Sequence, residues 1–284
     1  MRPLFLIPLA LCLGASASAQ DAPVGAATVV PYAEVEWSPL NPARGDASPR
    51  AGALWGDRTG TGPSGFLVQF ADGFSSPPHI HNVTYRGVVI RGLVHNDDPD
   101  AAEMWMPPGS YWTQPAGETH VTAADAAANL AYIEIQEGPY LVQPTDKAFD
   151  DGERPVNVDA TNLVWLDSAT VSWISPSGAA DGPEAAVLWG DPRDDEPSGT
   201  LLKLPAGAAA TVHGLGQTLR AVVVQGRAAY GAPSADDATP LEPGSYVGSQ
   251  GPSAHAFACE ASEPCVVYVR AEGGFHVLPS PTGR

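Results

Sequence analysis

Three histidines at two spacings carry the chemistry this sequence offers. His79 and His81 stand two residues apart in Gly73-Phe-Ser-Ser-Pro-Pro-His79-Ile-His81-Asn-Val-Thr-Tyr85-Arg-Gly-Val-Val-Ile-Arg-Gly92. Side chains alternate faces along an extended chain, so the two imidazoles point the same way. A third, His120, follows the turn Pro115-Ala-Gly117 in Gly109-Ser-Tyr-Trp-Thr-Gln-Pro115-Ala-Gly117-Glu-Thr-His120. Three imidazoles converging from two strands make a metal-ligand set. Three protein ligands leave positions open for water or substrate, as catalytic centres do and structural ones do not. The expected cofactor is one divalent ion, and Zn, Fe, Mn, Ni and Cu all remain open.

Tyr85 lies four residues after His81 and shares its face in a regular strand. A phenol is a poor ligand unless ionised. It can hydrogen-bond a bound water or substrate, or simply fill the core with its hydroxyl on backbone. Glu118 and Glu103 are candidates for a fourth ligand or a proton shuttle. Glu118 stands two residues before His120, although directly after a turn; the direction of Glu103 depends on strand register. Met104, Trp105, Tyr111 and Trp112 lie near this wall in sequence and suit either a pocket or plain core. His95 and His276 are expected at the surface.

The two stretches resemble the paired signature motifs of the cupin superfamily. The first motif is matched at Gly73, His79, His81 and Gly92, with Tyr85 where the family places Glu. The second is matched at Gly109, Pro115, Gly117 and His120, with Ala124 where the family places Asn. The run Leu54–Pro144 also resembles an uncharacterised family of two-cupin proteins. The resemblance implies an all-β chain of two tandem cupin barrels, each a double-stranded β-helix or jelly roll. It also implies metal-dependent chemistry of the oxygenase, isomerase, decarboxylase or lyase kind on a small organic molecule. Loss of the Glu resembles the three-histidine cupin dioxygenases. Some cupins bind small ligands or sense metals without turnover, and that reading stays open.

The elements that must position these residues read as strands. Short apolar runs alternate with Gly, Pro, Asp and Asn clusters from Leu54 onward, and helical periodicity is weak. The chain then repeats itself: a shift of 134 residues aligns 54–92 with 188–226 without a gap, with 15 of 39 positions identical. His79 falls on His213 and Tyr132 corresponds to Tyr268, but Leu215 and Leu219 replace His81 and Tyr85. Only His213 and His255 persist, so the second copy is expected to be degenerate. The domains expected are a signal peptide over 1–19, a flexible leader over 20–30, a metal-binding cupin over 31–150 and a degenerate cupin over 151–284. The duplication suits a monomeric pseudo-dimer or a homodimer.

Arg2, the apolar run Leu4 to Leu13 and Ala17-Ser18-Ala19 have the form of a secretory signal, which points to a periplasmic or secreted protein. In such a compartment Cys259 and Cys265, flanking Glu-Ala-Ser-Glu-Pro, suit a disulfide across a hairpin; two reduced thiols are the alternative. The formal net charge is −18, with 32 acidic against 14 basic residues. That field disfavours nucleic acid and anionic membranes as partners, and the expected partner is a small molecule. No phosphate-binding glycine loop or Ser/Cys nucleophile constellation is present.

Overall fold

The computed structural model describes residues 26–178, 181–231 and 238–280. The expected signal peptide and most of the expected leader lie outside the described residues. Among the described residues the elements are strands and short 3-10 turns, and no helix is long and apolar enough to cross a membrane.

The strands form two similar halves. In the first, a seven-stranded sheet includes Arg50–Trp55, Ser64–Phe70, Tyr85–Arg91, Tyr111–Gln114 and Asn129–Ile135. It is faced by a three-stranded sheet of Phe74–Ser75, Val94–Asp97 and Val121–Ala124 and by the pair Ile80–His81 and Val142–Gln143. In the second half a six-stranded sheet contains Glu184–Trp189, Pro197–Leu204, Thr218–Gln225, Tyr246–Gln250 and Cys265–Glu272. A five-stranded sheet faces it. These are the two jelly-roll barrels of a cupin fold, all-β as expected.

Two connections depart from the sequence reading. Thr28–Val30, expected in a flexible leader, is a strand paired with Tyr246–Gly248 of the second half. Val156–Val158, placed by sequence in the second domain, pairs with Tyr111–Thr113 of the first. Each half thus lends a strand to the other's large sheet. An edge strand's free backbone groups accept any compatible segment, so the repeat boundary and the sheet boundary need not coincide.

The large sheets pack back to back, and this explains a pattern that sequence alternation alone does not show. Every residue of Asn129–Ile135 is buried. Ala131, Ile133 and Ile135 face the interior of their own barrel, whereas Leu130 and Tyr132 join a core shared with the other half. Cys265–Glu272 behaves alike: Val267, Val269 and Ala271 fill the second barrel, and Val266 and Tyr268 enter the shared core. Both faces are dry, so neither strand shows a solvent-facing alternation, and even the charged Glu134 and Arg270 are buried.

Gly65 and Gly199 serve that seam at repeat-related positions. A Cβ on Gly65 would collide with the Trp55 indole and the Tyr132 hydroxyl, and one on Gly199 with Trp189 and the Tyr268 hydroxyl. Their absence lets Trp55 Nε1 donate to Tyr132 Oη and Trp189 Nε1 to Tyr268 Oη, each at 3.0 Å. In the second half Cys259 and Cys265 are joined by a disulfide.

Candidate metal centre

His79, His81 and His120 meet inside the first barrel, with one ring nitrogen of each within 4.8 Å of the others. Backbone pairing puts them there. His79 N–H donates to His120 O at 3.1 Å and His120 N–H donates to His79 O at 3.0 Å, so the two residues face each other. His81 is in the short strand Ile80–His81, held by Val142–Gln143. The turn before His120 needs Gly117, whose φ is 76° and whose N–H donates to His81 O at 2.8 Å. That bond ties the second motif to the first.

The rings are set for ligation. His120 Nδ1 lies 3.1 Å from Glu118 O and His79 Nδ1 lies 2.9 Å from Pro77 O. A carbonyl can only accept, so each ring carries its proton on Nδ1 and keeps the Nε2 lone pair free. His81 Nδ1 is buried without a hydrogen-bond partner. Burial drives the basicity of all three down: His79 is lowered, His120 falls to about 3, and His81 sits well below the ordinary imidazole value, depressed further by its neighbours' charge. Clustered imidazoles that resist protonation and offer free nitrogens fit a divalent metal.

Around them lies a polar network that the sequence did not disclose. Tyr85 Oη donates to Asn96 Oδ1 at 2.8 Å and lies 3.2 Å from His120 Nε2. Asn96 Oδ1 also accepts from Thr122 Oγ1 at 2.7 Å, and Asn96 Nδ2 donates to Gln114 Oε1 at 2.9 Å. Gln114 Nε2 reaches Glu118 O at 3.3 Å, the carbonyl that also holds His120. Burial pushes the Tyr85 phenol upward, so it stays neutral, with its proton directed at Asn96. Tyr140 stacks on His81 at 4.2 Å between centroids, and its hydroxyl is 3.2 Å from His81 Nε2. Tyr140 lies twenty residues beyond His120 and outside both motifs, so no spacing marks it.

The carboxylates lie elsewhere. Glu118 contributes its backbone carbonyl, and its side chain is outside the histidine group. Glu103 is exposed. Trp112 reaches the cavity, whereas Tyr111 packs in the shared core. His95, expected at the surface, is buried at 6% exposure in Val94–Asp97, because that strand pairs with Val121–Ala124. His276 is exposed.

His79 and His81 open into a cavity of about 330 Å³. Its walls are mostly apolar, with Val68, Phe70, Phe74, Trp112, Ile133 and Tyr140 among them. In the second half His255 instead bonds Tyr230 and Ser249, at 3.0 and 2.8 Å. Leu215, at the position of His81, is 53% exposed. The second barrel gathers no comparable ligand group among the described residues.

A family model described as Domain of unknown function (DUF4437) matches residues 28–278. No curated protein matches the sequence. Among solved structures, a candidate dioxygenase from Nostoc punctiforme superposes with a TM-score of 0.63 at 15% identity, covering 90% of this chain and 86% of that one. The oxalate decarboxylase of Lactobacillus farciminis, in a formate complex, gives 0.53 at 10% identity, covering 92% and 89%. The Bacillus subtilis oxalate decarboxylase, studied for its Mn(II) centres, gives 0.50 at 10%, covering 92% and 80%. At such identities the likeness shows the fold, a cupin, and nothing finer.

Proposed function

The chain belongs to the DUF4437 family, and from that premise we propose that it is an exported two-cupin enzyme. One divalent metal is held by His79, His81 and His120, and the chemistry is dioxygenase-like on a small organic molecule. One observation carries the reading: three imidazoles with depressed basicity cluster together, and two of them line a mostly apolar cavity. The structural neighbours described as a candidate dioxygenase and as a decarboxylase with Mn(II) centres support metal chemistry of this general kind. The disulfide supports an oxidising compartment, periplasmic or extracellular. The second barrel acts as a packing partner, which makes the chain a pseudo-dimer.

A metal bound there supplies Lewis-acid polarisation of a coordinated oxygen. The protein's own groups do the rest. Glu118 O and Pro77 O hold two of the rings in one tautomer. Tyr140 covers the face of His81. Tyr85, whose proton is committed to Asn96, turns its oxygen lone pairs toward the centre and accepts a hydrogen bond from whatever sits there. The apolar walls keep water away from the reacting atoms.

A second reading, ligand binding or metal sensing without turnover, is favoured by one observation: among the described residues no carboxylate lines the cavity to serve as a base. Elemental analysis of purified protein beside His81→Ala and His213→Ala tests both. The expected result is one metal per chain, lost with His81 and kept without His213, followed by oxygen uptake or product formation in substrate screens. A protein without metal, even after reconstitution, sinks the catalytic reading. Metal without turnover leaves the binding module.

A further inference from the structure

Away from the neutral histidines, the cavity carries one charged side chain. Among the described residues Arg44, in the 3-10 segment Pro42–Ala47, is the sole Lys or Arg that lines it, and no Asp or Glu does. This is notable in a chain with 32 acidic and 14 basic residues. Of the nine other described arginines, five are occupied: Arg154, Arg193, Arg220, Arg227 and Arg270 each pair with a carboxylate. Arg44 pairs with none among the described residues. Its guanidinium lies 5.9 Å from the centroid of Phe74, another wall residue, which leaves the planar fork of donors open to an anion.

We propose that the cavity takes a small organic acid, its carboxylate held by Arg44 at the mouth, its apolar body against Phe70, Phe74 and Trp112, and its far end at the three histidines. The proposal rests on the reading of that cavity as the reaction site and names its substrate class. Two further facts agree with it. A cavity of about 330 Å³ is at the small end of ligand pockets, which suits a compact acid and no polymer. The walls between the two polar ends are apolar, so a neutral body joining two anionic or oxygen-bearing ends is complementary to them. An isolated guanidinium in an otherwise acidic protein also gives a local attraction for anions that the overall field repels.

The test uses metal-loaded full-length protein, with calorimetry as readout. Straight-chain and phenyl-substituted monocarboxylates, from propionate to phenylpropionate, are titrated against their primary amides. At least one acid is expected to bind roughly tenfold or more tightly than its amide, as a charge-assisted pair requires. Arg44→Gln removes that preference and Arg44→Lys restores part of it, since Arg44 is exposed and its replacement leaves the core intact. The preference weakens with salt. Acids and amides binding equally, or a preference that survives Arg44→Gln, overturns the proposal. Metal content is measured on the same samples. Metal present without acid preference refutes this proposal alone, whereas absent metal with an Arg44-dependent preference refutes the metal reading and upholds the acid site.

Discussion

Glu134 and Arg270 occupy equivalent strand positions in the two halves and meet each other in the buried seam, Arg270 Nη1 lying 3.4 Å from Glu134 Oε1. Register proves the equivalence: Glu134 lies opposite Gly65, and Arg270 lies opposite the repeat-related Gly199. Around them the seam stays symmetric. Tyr132 and Tyr268 both donate to the Glu134 carboxylate, at 2.9 and 2.8 Å. With Glu in both halves, two carboxylates would face one another in a dry interface. Arg in the second half makes the pairing of the unlike halves attractive instead.

Removing Arg270 leaves the Glu134 carboxylate buried without a cation, whereas removing Glu134 leaves Arg270 still paired with Glu272 Oε1 at 2.9 Å. Arg270→Ala is expected to cost about 3–5 kcal/mol in chemical denaturation, and Glu134→Ala less. The double change to Leu and Met is expected to cost much less than the two singles added together. Strict additivity would show that the two charges are not coupled.

Tyr140 shapes the centre by contact with a ligand ring. Tyr140→Ala removes both the stacked ring and the hydroxyl at His81 Nε2, and metal affinity measured by chelator competition is expected to fall about 10- to 100-fold. Tyr140→Phe keeps the ring and is expected to lose only a few-fold. Equal losses in the two variants would assign the whole effect to the hydroxyl.

Tyr85 is expected to matter without ligating. Its buried phenol is held neutral, so Tyr85→Phe retains one metal per chain with affinity within about threefold. Asn96 keeps its bonds to Thr122 and Gln114, so unfolding free energy drops by only about 1 kcal/mol. A tenfold or larger loss of metal would show instead that the phenol oxygen is bound as phenolate.

The legible parts were those set by local spacing. Gly, Pro and apolar alternation announced an all-β fold, and the 134-residue repeat announced two similar barrels. His79, His81 and His120 could be named because two strands and one turn fix their directions. What escaped depends on pairing between distant segments. Asn96 and Tyr140 reach the centre through tertiary packing, and the exchange of Thr28–Val30 and Val156–Val158 between sheets depends on which edges were free. Glu134 and Arg270 escape as well, because a charge in a strand reads as solvent-facing until a second sheet is known to cover it.

The second barrel offers a titration away from the metal ligands. Burial lowers His255 to about 4, while an unfolded chain holds histidine near 6.5. Between those values the unfolded state binds the extra proton, so stability is full above pH 6.5 and declines as pH falls toward 4. The contribution is on the order of 3 kcal/mol at most. Urea denaturation of metal-free protein across that window is expected to show a shallower pH slope in His255→Gln than in wild type. Part of the slope persists, because His81 and His120 are also buried with lowered basicity. The ring's partners, Tyr230 and Ser249, are hydroxyls that adapt to either protonation state, so the cost of charging His255 is desolvation. An identical slope in the variant would place the folded-state value near 6.5 and show that water reaches the ring.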